Sequence, residues 1–301
     1  MAWDEFSVVL KAREFVRTAN VTAIPAPLEA YLAPVRASVR ELADMATDEA
    51  GTCFPMADGS YRVCINASDR IERRRFTVCH EIAHIVLGLK SDHGTEPWTT
   101  GRPLAERLCD LFAAELLLPA KLFEPAVESA PISLAGIDAL SRQCEASVTA
   151  TGSRYADSVS TPCAFVLSHQ GRVVHASRSK MLKDANAFIQ PRTDLPSGSM
   201  SARVRAGENP SREEIDADLW FANWERGGTL LEEARHLTKW DQTLTLIWFE
   251  SGDVPSARAA RRERRWEYEG RERPQGREEE EHDGLKELDG NLRWNRKDRY
   301  R

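Results

Sequence analysis

The chain has 301 residues, of which 42% are hydrophobic and 29% charged, with a formal net charge of −6. That length can bury one catalytic core and a second small folded unit, and the composition is that of a globular protein with a solvated surface, giving no global electrostatic case for nucleic-acid binding. No run reaches the roughly 18–20 apolar residues that cross a bilayer, and Asp4 and Glu5 stand where a secretory leader would be basic, so a cytoplasmic protein without membrane contact is expected.

Residues 5–17 and 28–45 carry apolar side chains at helical spacing and are expected as two opening helices, separated at Ile24-Pro25-Ala26-Pro27, where helix cannot continue. Residues 51–67 read as a strand pair around a turn at Ala57-Asp58-Gly59. A strand entering just before a helix that carries chemistry can offer an edge to an extended peptide. The strongest helical segment is 70–89, with Phe76, Cys79, Ala83 and Leu87 on one flank and Gly88 near its end. The polar stretch 91–100 reads as a loop, and 103–118 as a helix opened by Pro103 and stopped by Pro119. Shorter helices are expected at 121–128, 133–144 and 148–158.

Composition shifts at Ser160-Thr161-Pro162. Beyond it 163–167 and 172–176 read as strands around Gln170-Gly171, and 243–249 as another strand; between them lie the Gly/Ser/Pro-rich stretch 191–210 and a helix at 213–220. Residues 254–301 hold 26 charged side chains, 14 basic and 12 acidic, with too few large apolar residues to bury a core, and read as a disordered polyampholyte tail. Six cysteines without CxxC or CxxxC spacing point to reduced, mostly buried thiols and not to a disulfide scaffold or zinc knuckle.

The chemistry is concentrated in His80-Glu81-Ile82-Ala83-His84. Histidines four apart on a helix project from one face about a turn apart and can bind one zinc ion. Glu81 is rotated about a third of a turn away, where its carboxylate can take a proton from water and hand it to a leaving amine. A catalytic zinc site normally takes three protein ligands and keeps one position open. Glu106, on the next helix, is the preferred third ligand, with Glu115 and His93 as fallbacks. Asp110, four residues after Glu106, shares its face and is expected to fix the ring of a ligating histidine, His80 in the first instance.

Three runs, Cys64-Ile65-Asn66, Arg74 through His84 (RRFTVCHEIAH) and Glu106 through Pro119 (ERLCDLFAAELLLP), resemble the ImmA/IrrE family of metallopeptidases over roughly residues 12–158. The resemblance implies zinc, with manganese as the alternative metal, held by His80, His84 and Glu106, and Glu81 as the base. Cys79 stands where that family commonly has alanine, Leu118 where it has methionine, and Asp110 where relatives often have Asn. The resemblance also implies a protein substrate, a helix-turn-helix transcriptional repressor cleaved in a stress or mobile-element response. The fold class it implies is α+β. Residues 1–159 would be a mainly α, zincin-like peptidase domain with a short β-sheet, 160–253 a small α/β domain, similar to a GAF domain and of sensing role, and 254–301 the tail.

A rival reading makes 133–157 a helix-turn-helix-like pair in a DNA-binding or partner-binding regulator with a non-catalytic metal site. Only Arg142 and Arg154 are cationic there, whereas phosphate contacts need a basic cluster, so direct nucleic-acid binding is not expected. Smaller signals are Arg73-Arg74-Arg75, read as a solvated helix flank, Tyr155, a candidate oxyanion donor, and Trp220, Trp224, Trp240 and Trp248, read as core and groove lining. The oligomeric state has no sequence signal.

Overall fold

The computed structural model describes residues 3–46, 50–90, 103–209 and 212–256, so the loop expected at 91–100, with His93, and the charged tail beyond 256 lie outside the described residues. Two helices open the chain, α1 (Glu5–Thr18) and α2 (Leu28–Leu32), followed by strands β1 (Ala37–Leu42), β2 (Gly51–Pro55) and β3 (Tyr61–Asn66). Five helices come next: α3 (Ile71–Leu87), α4 (Leu104–Leu117), α5 (Ala120–Ser129), α6 (Leu134–Cys144) and α7 (Val148–Ser158). The remainder is β4 (Cys163–His169), β5 (Arg172–Arg178), α8 (Lys180–Asp184), α9 (Met200–Arg205), β6 (Glu213–Asp216), β7 (Thr229–Leu237) and β8 (Gln242–Trp248). The fold is thus mixed α and β, helical in its first half with β-sheets.

The second opening helix is the first departure from the sequence reading. It ends after one turn, because Pro34 can neither donate to the helix nor fit behind the preceding carbonyl, and Arg36 then turns the chain at φ 52°. Residues 37–42 run on as a strand, parallel to β3 in the register Ala37 with Tyr61 through Leu42 with Asn66. With β2 antiparallel on its other side, β3 is the centre of a three-stranded sheet ordered β1-β3-β2.

The buried face of this sheet and helices α1, α3 and α4 enclose one core, including Val8, Ala12, Tyr31, Val63, Ile65, Val78, Ile82, Leu108, Phe112 and Leu116. Helix α3 lies at its middle and is buried all round from Thr77 to His84, unlike an amphipathic surface helix. Two long-range hydrogen bonds pin the layers: Trp3 Nε1 donates to the Leu87 carbonyl at 2.8 Å, and the Tyr31 hydroxyl to the Leu116 carbonyl at 2.9 Å. Arg75 departs from its expected solvated place: it is 8% exposed, donates to the Ala26 carbonyl at 2.7 Å and pairs with Glu145 at 3.3 Å.

A five-stranded antiparallel sheet ordered β5-β4-β8-β7-β6 follows. Its central strands are buried on both faces, and their side chains alternate between two cores. Phe165, Leu167, Leu244, Leu246 and Trp248 pack with α5–α7, while Ala164, Val166 and Ile247 pack outward with Trp220 and Phe221. The helix expected at 213–220 is instead the edge strand β6 followed by a single 3₁₀ turn, because Glu213–Asp216 pair with β7 and only Ile215 of the four is buried. β7 itself was not read from the sequence. Its fully buried Glu232 accepts from the Met200 and Ser201 amides at 3.1 and 2.9 Å and so docks the start of α9.

Helix α7 approaches the sheet at Gly152, where a Cβ would lie 2.4 Å from Cε2 of the buried Phe165 ring. Gly152→Ala therefore trades about 1 kcal/mol of gained helix propensity against overpacking of about 1–3 kcal/mol. A net loss of stability of about 1 kcal/mol is expected, read as a lower urea midpoint at unchanged m-value; a variant as stable as wild type would show that Phe165 can move aside.

Candidate metal centre

Helix α3 begins after a turn shaped by Asn66, whose side-chain oxygen accepts from the Ser68 amide at 3.0 Å and whose Nδ2 donates to the Ala46 carbonyl at 3.2 Å. It ends at Gly88, in the left-handed region at φ 64° that glycine adopts without a Cβ penalty. That turn folds the chain back so that the Leu89 amide donates to the His84 carbonyl at 3.2 Å, and the Leu89 carbonyl meets Nδ1 of His84 at 3.1 Å. Helix α4 enters behind Pro103 and packs along α3, with Cys79, Ala83, Cys109 and Ala113 all fully buried in their shared core. Small side chains at these positions let the two backbones come close.

The result is a convergence of three donors. His80 Nε2 lies 3.1 Å from His84 Nε2 and 3.1 Å from Glu106 Oε2, and His84 Nε2 lies 3.5 Å from Glu106 Oε1. His80, His84 and Glu106 are 5%, 3% and 1% exposed. Ligands about 2.0–2.1 Å from a tetrahedral zinc ion stand about 3.3–3.4 Å from one another, which is the spacing seen. The far nitrogens are engaged as ligating imidazoles require: Nδ1 of His80 lies 2.9 Å from Asp110 Oδ1, and Nδ1 of His84 faces the Leu89 carbonyl. A proton donated from each Nδ1 leaves a lone pair on each Nε2, and both lone pairs point into one place. Donor set and spacing therefore fit a divalent ion of the zinc type.

Burial pushes the His80 imidazole down, but the hydrogen bonds to Asp110 and Glu106 outweigh it and raise the pKa to about 9. Below that pH the metal-free pocket holds a proton on His80 that an incoming cation displaces. Uptake of a divalent ion at pH 7 is therefore expected to release about one proton, with apparent affinity rising about tenfold per pH unit up to roughly pH 9. Calorimetry in buffers of different ionisation enthalpy counts that proton. Zero release would mean that His80 is already neutral.

Among the other residues singled out in the sequence, Glu81 is on α3 and 1% exposed. Glu115 is not brought to the centre; it accepts from Arg154 Nη2 at 2.5 Å and from the Ala120 amide at 3.1 Å, and pairs with Arg13 at 3.4 Å. Tyr155 is wholly buried between α7 and the second sheet, so its hydroxyl cannot reach a cleft. Two neighbours of the centre were not read from the sequence. One is the Leu89 carbonyl, whose only signal was Gly88. The other is Cys53 on β2, whose thiol is pushed up to about 12 by burial and then by the negative charge of Glu81.

Comparison with known proteins places this centre in context. Residues 36–151 match the family profile described as the IrrE N-terminal-like domain. The radiation response metalloprotease IrrE of Deinococcus deserti is 33% identical, over 44% of this chain and 56% of that protein, so the chain spans little more than half the length of this curated relative. Among solved structures, a Mycobacterium tuberculosis transcriptional regulator shares the fold at a TM-score of 0.55, with 13% identity over 82% of this chain and 79% of that one.

Proposed function

Because residues 36–151 carry a peptidase domain of the ImmA/IrrE metallopeptidase family, we propose that the chain is a zinc-dependent endopeptidase acting on a protein substrate. In this reading His80, His84 and Glu106 hold the ion, Glu81 is the general base and Asp110 orients His80. The observation that carries it is the convergence of two imidazole Nε2 atoms and one carboxylate within 4.8 Å of one another from two packed helices. Three protein donors are the catalytic pattern, whereas structural zinc sites take four. Two nitrogens and an oxygen suit zinc, with manganese a weaker fit.

A zinc ion held there supplies Lewis acidity, making water a nucleophile near neutral pH. The Glu81 carboxylate takes the proton of the attacking water and delivers it to the nitrogen of the departing amine. Asp110 and the Leu89 carbonyl keep the two imidazoles from rotating. Arg154 and Arg13 pair with Glu115, which is not among the converging donors.

The proposed substrate is a helix-turn-helix repressor, met in the cytoplasm; among the described residues no helix is long and apolar enough to cross a membrane. Metal-loaded protein incubated with helix-turn-helix proteins of the same genome, with products read by mass spectrometry, is expected to cut one of them at a discrete bond, and a chelator is expected to abolish the cut. Metal-loaded protein that cleaves none of them would remove the repressor from the proposal.

A DNA-reading role finds no support in α6 and α7. Every residue of α7 from Val148 to Ala156 is buried or half-buried against the second sheet, which leaves it no free face for a groove. Residues 160–253, whose sheet shares a core with α5–α7, are proposed as a small α/β domain of sensing role. In support is an open surface pocket of about 240 Å³ whose lining mixes Val173, Ile189, Trp220 and Phe221 with the polar Gln190 and Asp194. Melting temperatures that stay fixed across a metabolite panel would remove that role.

A further inference from the structure

We propose that Cys109 is a positioning residue for the metal centre: its sulfur accepts a hydrogen bond from Nδ1 of His84 and holds that imidazole with Nε2 turned toward the ion. The inference rests on the reading of His84 as a zinc ligand.

The geometry of α4 places the thiol. At about 100° per residue, Cys109 and Asp110 come one turn after Glu106 and lie to either side of it. The two imidazoles on α3 are likewise one turn apart, and each meets one member of this pair. Asp110 Oδ1 lies 2.9 Å from Nδ1 of His80, and the Cys109 sulfur lies 3.5 Å from Nδ1 of His84, within reach for so large an atom. Three side chains of one helix thus serve the same centre, Glu106 among the donors and the other two at the far nitrogens of the rings.

The proton on the His84 ring decides which partner donates. Nε2 of His84 converges with Nε2 of His80 and with the Glu106 carboxylate, so a ligating His84 keeps its lone pair there and carries its proton on Nδ1. That proton faces two acceptors, the Leu89 carbonyl at 3.1 Å and the Cys109 sulfur. Sulfur is the weaker of the two. It is the more firmly held, because Leu89 is half-buried just beyond the end of α3, whereas Cys109 is fully buried in the core that α3 and α4 share. The sulfur therefore fixes the ring from its rigid side. Cys109 lies outside the convergent donor group and meets the far nitrogen of the ring, so it acts on the ligand and not on the ion.

The test uses the full chain. Zinc affinity, measured by competition with a chromogenic chelator, is expected to fall about tenfold in Cys109→Ala, the low end of the loss on removing an outer partner of a ligand, because the Leu89 carbonyl remains. Cys109→Ser, whose hydroxyl oxygen accepts a hydrogen bond from Nδ1, should recover most of that affinity. Cys79→Ala removes another buried sulfur from the same core and is expected to bind zinc as the wild type does. In zinc-loaded protein carrying isotope-labelled histidine, the Nδ1 proton resonance of His84 should shift in Cys109→Ala and stay in place in Cys79→Ala. A zinc-binding wild type whose affinity and resonance are unchanged by Cys109→Ala would overturn the positioning role alone. Equal losses in all three variants would also overturn it, by showing that the sulfurs serve packing only. A wild type that takes up no zinc would overturn the reading of His84 as a ligand and this role with it.

Discussion

Glu81→Gln is expected to lower the rate of proteolysis by about 10²–10⁴-fold, the range that general acid–base catalysis supplies, while the bound metal stays at wild-type content. The amide keeps the shape of the carboxylate but cannot accept the proton of the attacking water. Glu81 is outside the convergent donor group of His80, His84 and Glu106, so its charge is not needed to hold the ion. Initial rates and metal content measured on the same preparation separate the two roles. Wild-type rates would take Glu81 out of the chemistry, and loss of metal would place it among the ligands.

The second large effect concerns the ion. Glu106→Ala deletes the only carboxylate of the donor group and leaves two imidazole nitrogens 3.1 Å apart. Zinc affinity, measured by competition with a chromogenic chelator, is expected to fall by more than the roughly 10–100-fold lost when an outer hydrogen-bond partner of a ligand is removed. Asp110→Asn provides that comparison within the same protein. Its carboxylate meets His80 at Nδ1, 2.9 Å away and on the ring position opposite the converging Nε2, so its loss should stay within that smaller range. If Asp110→Asn released the metal while Glu106→Ala kept it, the two carboxylates would have to exchange roles.

The centre was legible because its parts lie on two uninterrupted helices, where spacing in sequence converts directly into geometry. His80 and His84, and likewise Glu106 and Asp110, are four apart, and Gly88, Pro103 and Pro119 mark the helix ends in the sequence. The Leu89 carbonyl was not legible, because a backbone acceptor has no side-chain signature; only the left-handed turn at Gly88 foretells it.

Strands were read less well, since a strand is defined by a partner that can lie far away in the chain. Residues 37–42 carry apolar residues at helical spacing, yet they pair in parallel with β3 some two dozen residues on. Glu213–Asp216 is a poor strand by propensity and exists as one because β7 offers it an edge. β7 itself hides behind the charged Glu232, Glu233 and Arg235, whose charges are met by tertiary partners. Glu232 is satisfied at the start of α9, and Arg235 by Asp138 of α6 at 2.6 and 2.8 Å. Local propensity lost there to pairing and burial.

The central claim, that His80, His84 and Glu106 form a working metal centre, is tested most directly by elemental analysis of the purified wild-type chain beside His84→Ala. About one equivalent of zinc or another divalent ion in the wild type, and none in the variant, is the expected result. A wild type that is metal-free and cannot be loaded would contradict the account.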